Sequence, residues 1–321
     1  MTISAHLQEL HGLPVYVFPD AGATAEAAPE LPDAASVAWR ITVGAYDAKE
    51  TWEEAFARFL GAVDSTRVRA LIVGAWPDAY ESGPEAAIHA IIAARDRLPE
   101  LRALFVGDIV GEECEISWII QGPVAPLLEA FPELLEFGVR GSQQLVLPAV
   151  RHERLRSLTV ESGGLRAEVV RAVAASDLPA LERLDLWLGV DEYGGDATVA
   201  DLAPILAGTR LPALRRLALR NSERQDEIAA AVADAPVVAR LETLDLSMGT
   251  LGDEGARALL AGRPLTHLKK LDLHHHFIGE ELRERLRTTL GAAGVEVDLS
   301  EVSEPDDWDD DEPHYYVAVA E

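Results

Sequence analysis

The sequence predicts an α/β solenoid, with a curved parallel sheet on the concave side and helices on the convex side. The first observation is a unit that opens L-x-x-L-x-L at Leu241 and opens again at Leu268, 27 residues later. The second is that each copy changes from the alternation of a short strand to helical spacing, as in Ile278, Leu282 and Leu286. Strand-plus-helix units repeated at such a period stack on their neighbours and bury one continuous core.

The array is expected to begin near Ala38, where Ile41-x-Val43 supplies the first strand and makes Thr42 its outward residue. Further strand starts follow at Val68, Leu101, Leu134, Leu155, Leu181, Leu214, Leu241 and Leu268, and a degenerate last strand is expected at 295–299. Parallel strands lie about 4.8 Å apart and helices are about 10 Å wide, so the sheet must curve. We therefore expect a capping segment at 1–35, about nine repeats over 36–300, and an acidic tail at 301–321.

The motifs LTVESGGL, LDLWLG and LDLSMGTLGDEGARALL resemble leucine-rich-repeat proteins of the ribonuclease-inhibitor-like, long-repeat class, and among them an uncharacterised bacterial cytosolic family. That resemblance implies protein binding and carries no catalytic residue to transfer. The asparagine that the family places after the strand is replaced by Gly249 and His276 in the two best repeats. Other groups, such as Ser and His side chains, must then satisfy the loop backbone.

Residues between and just after the last two leucines of each motif are expected on the concave face. In the middle of the array these positions carry residue types that anchor protein interfaces. The predicted contact patch consists of Arg140, Glu161, Trp187, Arg220 and Asn221.

The 33-residue repeats have room for insertions between strand and helix, at 76–83, 108–117 and 191–196. All three would emerge on one rim, and insertions on one face of a solenoid often mark its binding face. They add Trp76, Tyr80 and Tyr193 to the predicted partner-binding residues, although each aromatic could equally be buried.

The charge and composition limit the partners. A formal net charge of −27 disfavours nucleic acid and anionic membranes and favours a basic protein partner. The sequence has no apolar run long enough for a membrane span and no signal-like amino end, and the single cysteine, Cys114, agrees with a reducing compartment. We expect a cytoplasmic protein.

Catalytic motifs are missing, and Cys114 lies among carboxylates that disfavour a thiolate nucleophile. The sequence therefore predicts a non-enzymatic scaffold without a cofactor. The alternative is a ligand- or metal-binding accessory protein, or an enzyme, that uses Asp245, Asp272 and His274 as nitrogen and oxygen ligands.

The tail between Glu301 and Glu312 holds eight acidic residues and is expected to be disordered. It could be a solvated tail or an acidic lure for a basic partner, whereas the ending HYYVAVAE alternates enough to dock as a terminal strand that masks the last edge of the array.

Overall fold

A computed structural model describes residues 2–22, 30–45, 48–306 and 313–321. The chain is organised as two compact units. The N-terminal unit comprises residues 2–148 and 152–160 together with Glu321, and the C-terminal unit comprises residues 149–151 and 161–320. Part of the predicted acidic tail, 307–312, lies outside the described residues.

Strands and helices alternate through most of the described chain. The strands are β1 Glu9–Leu10, β2 Leu13–Val17, β3 Ala38–Ile41, β4 Ala70–Val73, β5 Ala103–Val106, β6 Glu136–Arg140, β7 Ser157–Glu161, β8 Arg183–Gly189, β9 Arg216–Ser222, β10 Thr243–Asp245, β11 Lys270–Asp272 and β12 Glu296–Asp298. The α-helices are α1 Trp52–Ala62, α2 Glu85–Ala93, α3 Ala125–Ala130, α4 Ala167–Ala175, α5 Val199–Ala207, α6 Gln225–Ala233, α7 Asp253–Ala261 and α8 Glu280–Gly291.

In the N-terminal unit, β1 and β2 form an antiparallel pair, and β2 to β6 then pair in chain order, all parallel. Ala70 pairs with Ala103 and Ala103 with Glu136, which confirms the predicted 33-residue spacing. Helix α1 begins at the capping box formed by Thr51 and Glu54. Such a box satisfies two amide donors that the first turn of a helix leaves unpaired.

The predicted register of the first repeat is wrong by two residues. Strand β3 ends at Ile41, and Arg40 rather than Thr42 pairs with Ile72. The cause is that this segment, SVAWRITV, is apolar at positions of both parities, so alternation does not fix which residues face outward.

The amino-terminal residues cover the outward face of the N-terminal unit. Leu10 forms a buried cluster with residues of β3, β4 and β5, and Leu7 and Leu13 pack against it. The Leu7 amide donates to Asp108 at 3.0 Å.

In the C-terminal unit, β8 to β12 pair in chain order and all are parallel. The residues of one parity, such as Leu217 and Leu219, are fully buried, whereas the alternate residues form what we call the outward face. Both 27-residue spacings after β9 are confirmed by the pairing of Thr243 with Arg216 and of Thr243 with Lys270. The predicted insertions also lie between a strand and a helix in both units.

His276 replaces the missing repeat asparagine. It is fully buried, its Nε2 lies 3.3 Å from the Leu299 carbonyl oxygen, and its Nδ1 accepts from the Ile278 amide at 3.1 Å. One imidazole thus links the loops after β11 and β12. Burial lowers the pKa of His276 to about 4, so the ring is neutral near pH 7 and donates from Nε2.

Candidate functional site: a rim and face of the C-terminal unit

The outward face of the C-terminal unit centres on Arg220. Its guanidinium makes a two-pronged contact with Asp185, at 3.0 and 2.7 Å, and lies 3.6 Å from Asp245. It also stacks over the Trp187 ring, 5.0 Å from the centroid. Burial acts to lower the pKa of Arg220, but the charges of Asp185 and Asp245 outweigh it and raise the pKa. The structure thus engages Arg220 in contacts within the unit.

Trp187 retains one unsatisfied group. Its indole N–H is buried and has no hydrogen-bond partner in the structure, and the whole residue is only 7% exposed. An unpaired buried donor costs about 1–3 kcal/mol. An incoming acceptor atom would recover that energy.

The candidate metal ligands lie further along the same face. Ligand atoms of Asp272, His274 and Asp298 lie within 4.8 Å of one another, whereas Asp245 is not part of this group. The Lys270 ammonium lies 2.8 Å from Asp272 and 3.8 Å from Asp298. The ammonium group thus neutralises these carboxylates, as a bound metal ion would.

The pKa values near Lys270 show ion pairing. Burial acts to raise the pKa of Asp272, but hydrogen bonds from His274 and Lys270 hold it well below its usual range. The hydrogen bond with Asp272, at 2.7 Å, raises the pKa of His274. A protonated His274 is a donor to Asp272, whereas a metal ligand would have to be neutral.

Arg140 belongs to a different cluster, in the N-terminal unit. It is buried, as is Arg40, and both bind the carboxylate of the fully buried Asp108, at 3.2 and 2.8 Å respectively. His6, from the amino-terminal segment, lies 3.7 Å from the same carboxylate. Asp108 therefore binds two arginines of the sheet and, through His6 and the Leu7 amide, the amino-terminal segment. The cluster ties that segment to the sheet.

The predicted rim aromatics differ in exposure. In the N-terminal unit, Trp76 is buried and donates its indole N–H to the Ser82 carbonyl, whereas Tyr80 and Trp118 are exposed. In the C-terminal unit, Tyr193 is half-buried and Glu161 is buried.

Asn221 leads to a feature that sequence reasoning missed, because it binds the terminal segment (residues 313–320). Its Nδ2 donates to the Val319 carbonyl at 2.6 Å, and its Oδ1 accepts from the Val319 amide at 3.0 Å. The Met248 carbonyl accepts from the Ala318 amide at 2.7 Å. Nε2 of His275, in the next repeat, lies 3.1 Å from the Tyr316 carbonyl oxygen. Three successive repeats therefore hold the backbone of the terminal segment.

The three residues that bind the terminal segment, and Glu301 in the next repeat, share an uncommon conformation. Asn221, Met248, His275 and Glu301 occupy equivalent positions at the ends of β9 to β12, and their φ angles are 56°, 67°, 53° and 55°. We call these four residues the strand-end rim. A left-handed backbone costs a non-glycine residue about 1–2 kcal/mol, and such strain often marks binding sites.

Side chains complete the contact with the terminal segment. Val317 and Val319 are buried, and the His275 ring meets Tyr316 edge to face at 5.6 Å. Phe277 contacts the Tyr315 ring at 5.0 Å and the Tyr316 ring at 5.4 Å.

Two open clefts adjoin the terminal segment, with volumes of about 830 and 530 Å³. Tyr315 and Glu223 line both clefts. The other acidic residues that line one or the other are Glu192, Asp226, Glu227, Asp253, Glu254 and Asp306. The surroundings of the rim therefore carry a strongly negative potential.

The parallel strands follow one another in chain order. Each parallel pair is joined by a crossover, and most of these crossovers contain an α-helix. Together with the L-x-x-L-x-L motifs, this arrangement defines a leucine-rich-repeat-like fold. Within the described residues, no helix is long and apolar enough to span a membrane.

Comparison with solved structures finds similar proteins. The chain is similar to a Bacteroides fragilis protein whose crystal structure was a structural-genomics target, at 29% sequence identity and a TM-score of 0.72, covering 79% of this chain and 71% of that one. An internalin from Listeria monocytogenes aligns at 13% identity and a TM-score of 0.31, over 74% of this chain and 76% of that one. No protein-family model matches the chain, and no curated protein matches it.

Proposed function

We propose that this protein is a non-enzymatic interaction scaffold that binds a protein partner along the strand-end rim and the adjoining outward face of the C-terminal unit. The observation that carries the proposal is the non-helical backbone segment held through its main-chain groups by Asn221, Met248 and His275. A surface that satisfies the backbone of such a segment is suited to protein recognition.

The outward face supports the same proposal. The buried, unsatisfied indole N–H of Trp187 is a donor that a partner's carbonyl or carboxylate would satisfy once a local side-chain movement exposes it. The carboxylates lining the neighbouring clefts favour a partner with Lys or Arg beside its bound segment.

We also propose that the protein belongs to the ribonuclease-inhibitor-like, long-repeat class and that it is located in the cytoplasm. Parallel-strand spacings of 26, 27 and 33 residues support that class. Burial, followed by the charge of Glu115, raises the pKa of the Cys114 thiol to about 11. A thiol of this kind is a poor nucleophile, which supports a role without catalysis.

Affinity capture from the native cytosol tests the proposal, with the full chain, Asn221→Ala and Lys269→Ala as baits. Lys269→Ala is a better matched control than Arg257→Ala, because Asp253, the partner of Arg257, lines one of the acidic clefts. Lys269 makes an exposed ion pair with Glu242 just before β11, at the opposite end of the strand from the rim, and lines neither cleft. The expected result is a protein retained by the full chain and by Lys269→Ala and lost with Asn221→Ala. A set of captured proteins that is identical for all three baits would contradict the proposed site.

To test whether the partner contacts Trp187 and Arg220, a substitution milder than charge reversal at Arg220 is needed. Arg220 neutralises two half-buried carboxylates, so Arg220→Glu would place three like charges together and strongly destabilise the unit. Trp187→Phe removes the indole N–H and keeps an aromatic ring below Arg220. Weakened capture by this folded variant would place the partner's acceptor at Trp187.

A further inference from the structure

We infer that the terminal segment is a built-in ligand of the strand-end rim, and that the partner presents a segment of the same chemistry, with two aromatic residues followed by alternating β-branched residues. This inference rests on the proposed function and names the class of partner for that site. It also makes the terminal segment a competitor that the partner must displace.

The backbone contacts explain why a non-helical segment fits. Within four residues, Tyr316 to Val319, the terminal segment makes four main-chain hydrogen bonds to the rim. Any residue except proline offers the same groups at most of these positions. These bonds therefore give affinity without selecting a sequence.

The side chains select the sequence. Val317 and Val319 flank a bend at Ala318 and are both buried, whereas Ala318 itself is half-buried. Tyr316 meets two rings of the rim loop, those of His275 and Phe277. Replacement of either valine by a charged residue would bury a charge without a partner, so the site discriminates against such segments.

The rim is preorganised for this ligand. Asn221, Met248 and His275 each adopt the left-handed conformation at the same position of successive repeats. The amide of each of the three residues donates to a carbonyl of the next repeat, and the Met248 carbonyl oxygen accepts from the Ala318 amide. Because loops after each strand are fixed by inter-repeat hydrogen bonds, the binding groups are held in place before the ligand arrives.

Competition follows from covalent attachment. A ligand that belongs to the same chain binds intramolecularly, at an effective concentration of about millimolar. A partner segment with similar contacts therefore binds measurably only when it is concentrated, is multivalent, or makes further contacts. Tyr315 is 47% exposed and lines both acidic clefts, so it marks where a basic flank of the partner would add such contacts.

The test uses the full chain and a labelled synthetic peptide with the sequence of residues 313–321. Peptide binding is followed by fluorescence anisotropy for the wild type, for the tail-released variant Val317→Glu/Val319→Glu, and for that variant with Asn221→Ala added. We expect the tail-released variant to bind at least tenfold more tightly than the wild type. We expect Asn221→Ala to weaken that binding, and a peptide with both valines replaced by glutamate not to bind. Circular dichroism and thermal unfolding establish that each variant is folded.

The outcomes separate this inference from the proposed function. If the folded tail-released variant does not bind the peptide, the inference is wrong, although Asn221-dependent capture of a partner would still support the scaffold. If the peptide binds equally well to the wild type and to the tail-released variant, the terminal segment is not a competitor. If the peptide binds as expected while capture is insensitive to Asn221, the rim is an intramolecular docking site and the proposed function fails. As a measurement without any substitution, hydrogen exchange on the wild type should show faster Val319 amide exchange when unlabelled peptide is added.

Discussion

Asn221 and Val319 are joined by two hydrogen bonds although 98 residues separate them in the chain. The amide of one side chain satisfies both main-chain groups of the other residue, and Asn221 is fully buried. The pair is the specific anchor of the terminal segment in the C-terminal unit.

We expect Asn221→Ala to release the terminal segment. Loss of three buried hydrogen bonds, two to Val319 and one to the Ser162 carbonyl, and alanine in a left-handed conformation should lower the free energy of unfolding by about 3 kcal/mol. Hydrogen exchange measures the local effect, since the Val319 amide should exchange at least tenfold faster. Unchanged exchange at Val319 in the folded variant would show that the terminal segment is held by other contacts.

Glu301 tests the strain of the rim without disturbing the bound segment. Its side chain is exposed and its φ is 55°. Because glycine adopts positive φ without steric cost, Glu301→Gly should be more stable than Glu301→Ala by about 1 kcal/mol. Urea unfolding of the two variants measures this difference. Equal stability would mean that the left-handed conformation carries no strain here.

Arg220 is expected to be essential for the stability of the C-terminal unit. Arg220→Ala leaves Asp185 and Asp245 close together without a counterion, and a loss of about 3 kcal/mol is the usual result of breaking a buried pair. Chemical denaturation is the measurement, and Asp185→Asn/Asp245→Asn in the same background should recover part of the loss. Arg257→Ala removes an exposed pair and should cost less than about 0.5 kcal/mol. Similar losses for Arg220→Ala and Arg257→Ala would contradict the central role of Arg220.

His276 should make stability fall in mild acid. The ordinary pKa of histidine is 6.5, and burial lowers that of His276 to about 4. Between these two values the unfolded chain binds a proton that the folded chain does not, so falling pH favours unfolding. We expect His276→Asn, which keeps a donor and an acceptor, to remove about 2–3 kcal/mol of this pH dependence. The free energy of unfolding is measured for the wild type and for His276→Asn at pH 7 and at pH 4.5. An equal loss of stability in the two proteins would contradict the assignment of this pH dependence to His276.

Divalent cations should not stabilise the wild type. The Lys270 ammonium already lies between Asp272 and Asp298, and His274 is bonded to Asp272. We expect thermal unfolding to shift by less than about 1 °C on addition of Zn²⁺, Mn²⁺ or Mg²⁺, since only binding to the folded state raises the midpoint. Stoichiometric metal retained by the purified protein and lost in His274→Ala would establish the alternative metal site.

The repeat period and the placement of the insertions could be predicted because leucine spacing directly reports which residues face the core. The register of β3 could not, since Val37, Ala38, Trp39 and Ile41 are all buried and no polar alternation remains. Arg40 was the available signal, as a charged residue inside an apolar strand usually has a buried counterion.

The rim was harder to predict than the fold. Asn221 stood among the predicted partner residues, but Met248 acts through its main-chain carbonyl, which has no sequence signature. The terminal segment has the alternation of a strand, whereas the structure binds it across the strand ends. Sequence patterns report local conformation, and this contact depends on residues that only tertiary structure brings together.

The long separation of Asn221 from Val319 has a consequence for synthesis on the ribosome. At about 5–20 residues per second, the 98 residues between them take roughly 5–20 s to make. His275, the last of the three residues that bind the terminal segment, precedes Val319 by 44 residues, so all three have been made for roughly 2–9 s before their competitor exists. A partner that acts during translation would meet an unoccupied rim, whereas a partner that arrives later must displace the terminal segment. The order of synthesis itself would then select which complexes form.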